Sequence, residues 1–219
     1  VPFPLQKVVP WTRVFCEALD YAHSKNVLHR DIKPANILMG TDGSIRLADF
    51  GVARTLHELE NRLMGHAVSG TVMYMSPEQL LGKTLDHRTD LYSLAATVYE
   101  LLKGTPPFYD GAIAAQVQMR PPEPIHGLPD RVNRVLLKAL AKRPEDRYPD
   151  CGAFYRAFAE AAGTAPADVA GSPPEEAQTT LPRHRPDAET IRLHTASDLA
   201  GRRLGELLVH ATVITKEQL

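Results

Sequence analysis

The sequence predicts a mainly α-helical domain interrupted by one small β-hairpin, and three observations carry that prediction. Apolar residues recur at three- and four-residue spacing along several stretches. The run from Leu91 to Leu102 is apolar almost all the way round, as a helix in the middle of a domain must be. Two short apolar segments, Ile37 to Met39 and Ile45 to Ala48, flank Gly40-Thr41-Asp42-Gly43-Ser44, whose Asp-Gly supplies the positive-φ positions of a hairpin.

The first helix rests on Val14, Phe15, Ala18, Leu19 and Ala22, with Pro10 as a first-turn residue and an end near Lys25. After the hairpin comes the buried helix, with Leu91, Leu94, Ala95, Val98 and Leu102 on one side and Tyr92, Ala96, Tyr99 and Leu101 on the other. Gly104, followed by Pro106 and Pro107, supplies the residue types found just past a helix C-terminus. Helical stretches from Asp130 to Lys142 and from Gly152 to Ala162 close the domain. Every Trp, Tyr and Phe lies between Phe3 and Phe158, so the compact part, 1–162, ends there. Residues 163–196 carry Pro166, Pro173, Pro174, Pro182 and Pro186 without an apolar period and read as a linker. A helical pattern resumes over 197–219, the start of a small module.

The chain has 219 residues, 43% of them hydrophobic and 23% charged, which excludes a tail or linker as the whole of it. A net charge of -1 leaves no basic footprint for nucleic acid or an anionic membrane. The longest apolar run contains Ser93, Thr97 and Glu100 and is too short to span a bilayer. Cys16 and Cys151 read as buried thiols rather than a disulfide framework or a metal site, which points to a cytoplasmic location.

The candidate chemistry lies on either side of the hairpin. His29-Arg30-Asp31-Ile32-Lys33-Pro34-Ala35-Asn36 precedes it, and Asp49-Phe50-Gly51 follows it. Either tripeptide alone, His-Arg-Asp or Asp-Phe-Gly, is usually a mere loop; the two in this order on these elements are far more specific. Together with Gly70-Thr71-Val72-Met73-Tyr74-Met75-Ser76-Pro77-Glu78-Gln79 and Asp90-Leu91-Tyr92-Ser93-Leu94, they resemble the catalytic loop, metal-binding motif, activation-segment end and central helix of eukaryotic-type protein kinases, most of all the bacterial Ser/Thr kinases.

That resemblance implies the large, C-terminal lobe of a kinase, ATP and Mg²⁺ as cofactors, and a protein Ser/Thr hydroxyl as substrate. Phosphoryl transfer needs positioning and charge neutralisation more than covalent chemistry. Asp31 would accept or orient the hydroxyl proton, and Lys33 would face the transferred group. Asn36 and Asp49 would offer hard oxygens to Mg²⁺, and Leu38 would floor the adenine site. Arg30 would pair with a phosphorylated loop residue, the acceptors being Thr55, Ser69 or Thr71. Thr71 fits better as the hydroxyl bonded to Asp31 and Lys33. Glu78 would pair with Arg147, and Asp90, at the start of its helix, would hold the catalytic loop through backbone N–H groups while serving as an N-cap. His29 and Phe50 read as packing residues.

The resemblance also marks an omission. A complete kinase domain has a preceding β-rich lobe with a glycine-rich loop, a strand lysine and a helix glutamate. No Gly-x-Gly occurs in these 219 residues, so the expectation is an inactive piece of an active enzyme. The competing reading is a pseudokinase or scaffold that binds protein partners, against which stand Asp31, Lys33, Asn36 and Asp49. In 197–219, Thr215 and Gln218 are spaced as a capping box. This stretch resembles the N-terminal module of type II secretion ATPases, some of which bind cyclic di-GMP; Arg203 would be the contact, and an adaptor role through this module is a third reading.

Overall fold

The computed structural model describes residues 2–40, 45–49 and 70–164. The expected linker and terminal module, together with Phe50, Thr55 and Ser69, lie outside the described residues. Six α-helices and one two-stranded antiparallel sheet are present among those described. The helices are α1 (Leu5–Ser24), α2 (Pro77–Leu80), α3 (His87–Lys103), α4 (Ile113–Met119), α5 (Asp130–Ala139) and α6 (Cys151–Ala162). The strands are β1 (Ile37–Met39) and β2 (Ile45–Leu47), in the register Ile37 with Leu47, Leu38 with Arg46 and Met39 with Ile45.

Helix α1 begins five residues before Pro10, which lies inside it rather than in its first turn. Pro4 sets the start, and its carbonyl receives the N–H groups of Lys7 and Val8. Burial of Val8, Val9 and Thr12 explains the extension: the apolar stripe continues N-terminal to the proline and outweighs the one amide the proline lacks. The stripe packs on α6 and α3.

Helix α3 is the centre. Leu91, Leu94, Ala95, Ala96, Val98 and Tyr99 are all buried, and α1 and α5 pack against it. Its N-cap is Asp86, whose carboxylate accepts the Arg88 N–H at 2.8 Å. Asp90 is therefore not the cap but a residue inside the first turn, free to use its carboxylate elsewhere. Gly104, at φ 87°, ends the helix in the left-handed region. Asp150 caps α6 through the Ala153 N–H, and Gly163 at φ 76° ends it. Helix α5 stops at Ala139, short of the expected Lys142, because 141–147 turn back to deliver Arg147 to the core.

Candidate active site

A short loop and a hairpin build the site. Between α1 and β1 the chain runs through residues 25–36, and its last turn, Pro34–Asn36, is a single 3-10 turn that starts on proline. The Asn36 carbonyl then accepts the Ala48 N–H at 2.8 Å, which sets the loop's end beside the residue before Asp49. Both Arg30 (φ 65°) and Asp49 (φ 57°) occupy the left-handed region, an unfavourable place for residues with a Cβ, so surrounding contacts must hold them there.

For Arg30 the holding group is plain. Asp90, fully buried, accepts the His29 N–H on Oδ2 and the Arg30 N–H on Oδ1, both at 2.8 Å. A third donor, His23 Nε2, reaches the same Oδ2 at 2.8 Å. From the other side Gln79 Nε2 donates to the Arg30 carbonyl at 2.8 Å. Gln79 was missed by sequence reasoning, since a buried glutamine in a short helix has no signature apart from the motif around it. The Arg30 side chain itself is exposed.

His29 does more than pack. Its Nδ1 accepts the Asp31 N–H at 3.3 Å and its Nε2 faces the Ala48 carbonyl at 3.0 Å, so the ring is the Nε2–H tautomer and ties the loop to the strand before Asp49. Burial disfavours the imidazolium and lowers its pKa from 6.5, partly opposed by the Asp90 charge.

Four of the expected residues come together. Asp31, 7% exposed, has Oδ2 at 3.0 Å from Lys33 Nζ. Lys33 Nζ donates to Thr71 Oγ1 at 3.1 Å. Asn36 Nδ2 donates to the Asp31 carbonyl at 2.7 Å and to Asp31 Oδ2 at 3.2 Å. Asn36 spends its amide protons on Asp31 and so could offer only its carbonyl oxygen Oδ1 to a metal, and Asp49 presents an exposed carboxylate after β2; hard oxygens of this kind fit Mg²⁺. Leu38 is half-buried in the middle of β1.

Glu78 and Arg147 lie at the base of the site. The pair is bidentate, Oε1 to Nη1 at 2.7 Å and Oε2 to Nη2 at 2.8 Å. Thr89 Oγ1 adds a third donor to Glu78, while Arg147 gives its remaining protons to the carbonyls of Arg88, Ala141 and Lys142. Burial alone would raise the Glu78 pKa, yet the Arg147 hydrogen bonds and charge bring it below 4.5. Tyr74 hydrogen-bonds Glu100 of α3, anchoring the turn that carries Thr71.

The loop thus brings Asp31, Lys33 and Asn36 together with the Thr71 hydroxyl of a separate segment, and Asp49 follows the hairpin. The sequence profile of the protein kinase domain matches residues 1–151, and the chain belongs to that family. It is 43% identical over 159 residues to the serine/threonine-protein kinase PknF of Mycobacterium tuberculosis, an alignment covering 68% of this chain and 33% of that protein. To PknB of Mycobacterium leprae it is 38% identical over 154 residues, covering 67% and 25%. The crystal structure of the PknI kinase domain of Mycobacterium tuberculosis is similar at TM-score 0.56 and 33% identity, covering 74% of this chain and 56% of that one. The chain thus spans a quarter to a third of the curated relatives' length. No helix among the described residues is long and apolar enough to cross a membrane.

Proposed function

We propose that the protein containing this chain is a bacterial Ser/Thr protein kinase and that residues 1–162 form its large lobe. The observation that carries this reading is the Lys33 ammonium placed between Asp31 Oδ2 and Thr71 Oγ1. Asp31 is the acceptor for the substrate hydroxyl's proton, because its carboxylate is buried at the loop's turn. Lys33 offsets negative charge on the transferring group, and Thr71 fixes the lysine's direction. When bound, MgATP supplies the γ-phosphoryl group and the metal's charge. Asn36 Oδ1 and the Asp49 carboxylate would hold the metal, and Leu38 would floor the adenine site. Arg30, exposed beside Asp31, meets a phosphorylated Thr55 or Ser69. Thr71 is already committed to Lys33 and is not that acceptor.

A scaffold has no use for this constellation, which favours the enzyme. These 219 residues contain no Gly-x-Gly and so supply no glycine-rich phosphate loop; charged hydrogen bonds contribute about 1.5–3 kcal/mol each, and without those donors MgATP binds weakly. Phosphate transfer from MgATP by the full-length natural protein is the test, with Asp31→Asn expected to abolish nearly all of it. A rate within a factor of two of the unaltered enzyme would overturn the role of Asp31. Residues 197–219 carry a separate reading, cyclic di-GMP at Arg203, which calorimetric titration of that nucleotide into the chain tests directly; no heat of binding would reject it.

A further inference from the structure

Outside the site, the strongest cluster of chemistry lies where α1 meets α6. Asp20 and His23 are on the last turns of α1, and Cys151 is the first residue of α6. A carboxylate oxygen of Asp20, a ring nitrogen of His23 and the Cys151 sulfur all lie within 4.8 Å of one another. The kinase chemistry uses none of the three. Cys16, one turn earlier on α1, contacts the Cys151 thiol, so the two cysteines are neighbours rather than unrelated core residues.

His23 carries the second, independent observation. Its side chain is 9% exposed, and its Nδ1 is buried without a hydrogen-bond partner among the described residues. A buried imidazole nitrogen left unmatched is costly unless something occupies it. The other nitrogen, Nε2, faces the Asp90 carboxylate, which can only accept, so Nε2 is the protonated one and the neutral ring has its lone pair on Nδ1. An imidazole that gives one N–H to a carboxylate and points a lone pair elsewhere is the arrangement of a metal-ligating histidine. Each Asp20 oxygen accepts a single backbone amide, from Cys151 at 3.1 Å and Gly152 at 2.8 Å, and keeps lone-pair capacity for a cation.

We propose that Asp20, His23 through Nδ1, and Cys151 form a binding site for a borderline-soft divalent cation of the zinc type. One oxygen, one nitrogen and one sulfur donor suit Zn²⁺ and its Co²⁺ surrogate, and not Mg²⁺ or Ca²⁺, which take oxygens. In a tetrahedral site with ordinary bond lengths, donor atoms stand about 3.5 Å apart. Side-chain rotation therefore has to close the present triangle by no more than about 1 Å. Asp20 is only half-buried, which gives the cation a way in. Binding takes the proton from the Cys151 thiol and joins α1, α6 and, through His23 and Asp90, the loop bearing Asp31. The site ties the catalytic loop to the far end of the domain.

The test uses the 219-residue chain, stripped with chelator and titrated with Co²⁺ and then Zn²⁺. One equivalent of Co²⁺ should bind with a thiolate-to-metal charge-transfer absorption, and Zn²⁺ should abolish that absorption. Cys151→Ala should lose the band and Cys16→Ala should keep it. No band in the unaltered chain, or an undiminished band in Cys151→Ala, overturns the proposal. Should Cys151→Ala fail to fold, the alkylation rate of Cys151 in the unaltered chain decides. A tenfold or greater slowing by Zn²⁺ supports the site, and a smaller effect overturns it.

Discussion

Arg147→Met tests the base of the site most sharply. The methionine keeps much of the arginine's length and lies against the same Tyr92 ring, but it removes both bonds to Glu78 and three to backbone carbonyls. What remains is a carboxylate in the core with the Thr89 hydroxyl and its own backbone N–H as donors and no positive charge beside it. Breaking a buried pair in this one-sided way costs about 3–5 kcal/mol, a large share of the roughly 5–15 kcal/mol that holds a domain together. In urea, with a slope of about 2 kcal/mol per molar, the unfolding midpoint should fall by about 2 M. Because the Glu78 pKa is depressed in the folded state, its contribution is fully present above the unfolded carboxyl value near 4.5 and is lost as pH falls through the folded value. Arg147→Met should therefore lose stability at neutral pH and show a weaker further loss on acidification than the unaltered chain. Adding Glu78→Gln to the variant should recover part of the loss, since the stranded charge is gone. Urea titrations of the four chains form a double-mutant cycle. A loss below 1 kcal/mol, or strict additivity of the two substitutions, would refute the argument that this pair acts as a buried unit.

Three other outcomes are expected. Asp90→Asn weakens the bonds to the His29 and Arg30 amides, so their hydrogen exchange should accelerate roughly ten- to hundredfold, the equivalent of about 1.5–3 kcal/mol; unchanged protection at both amides would contradict the anchoring role. His29 should titrate below 6.5 by NMR, because its burial penalises the charged ring. The folded state then binds fewer protons than the unfolded one, so stability falls as pH drops from about 6.5 toward the folded value; a midpoint at or above 6.5 would count against this. In the full-length natural protein, Thr71→Val leaves Lys33 without its hydroxyl partner and should lower phosphate transfer about tenfold, the equivalent of one hydrogen bond of roughly 1.4 kcal/mol, while Thr71→Ser should restore it.

Much of this was legible in the residues themselves. The all-round apolar character of Leu91 to Leu102 announces a central helix, and the Asp-Gly between two apolar triplets announces the hairpin. The grouping of Asp31, Lys33, Asn36 and Thr71 followed from motif order. What escaped the sequence did so for physical reasons. Pro10 looks like a helix start because its ring favours the first turn, yet the buried Val8 and Val9 extend the helix past it. Asp90 anchors the loop as the resemblance implies, but it is not also the cap, because the helix starts a turn earlier than its motif suggests and Asp86 takes that place. Helix α4 is short, with Val117 as its buried residue, and so lacks a periodic pattern. Gln79 and the Asp20–His23–Cys151 cluster draw partners from distant parts of the chain, and no local pattern encodes such meetings.

The docking of α1 on α6 bears on how the chain acquires its shape during synthesis. Leu5–Ser24 leave the ribosome more than a hundred residues before Cys151–Ala162, against which much of their apolar stripe rests. The bonds from the Cys151 and Gly152 amides to Asp20 and from Arg147 to Glu78 likewise wait for that later segment. Closure of these contacts therefore waits until Cys151–Ala162 has been made. Nascent chains stopped before Cys151 carry α1 with its apolar stripe uncovered, the kind of surface that recruits chaperones or aggregates.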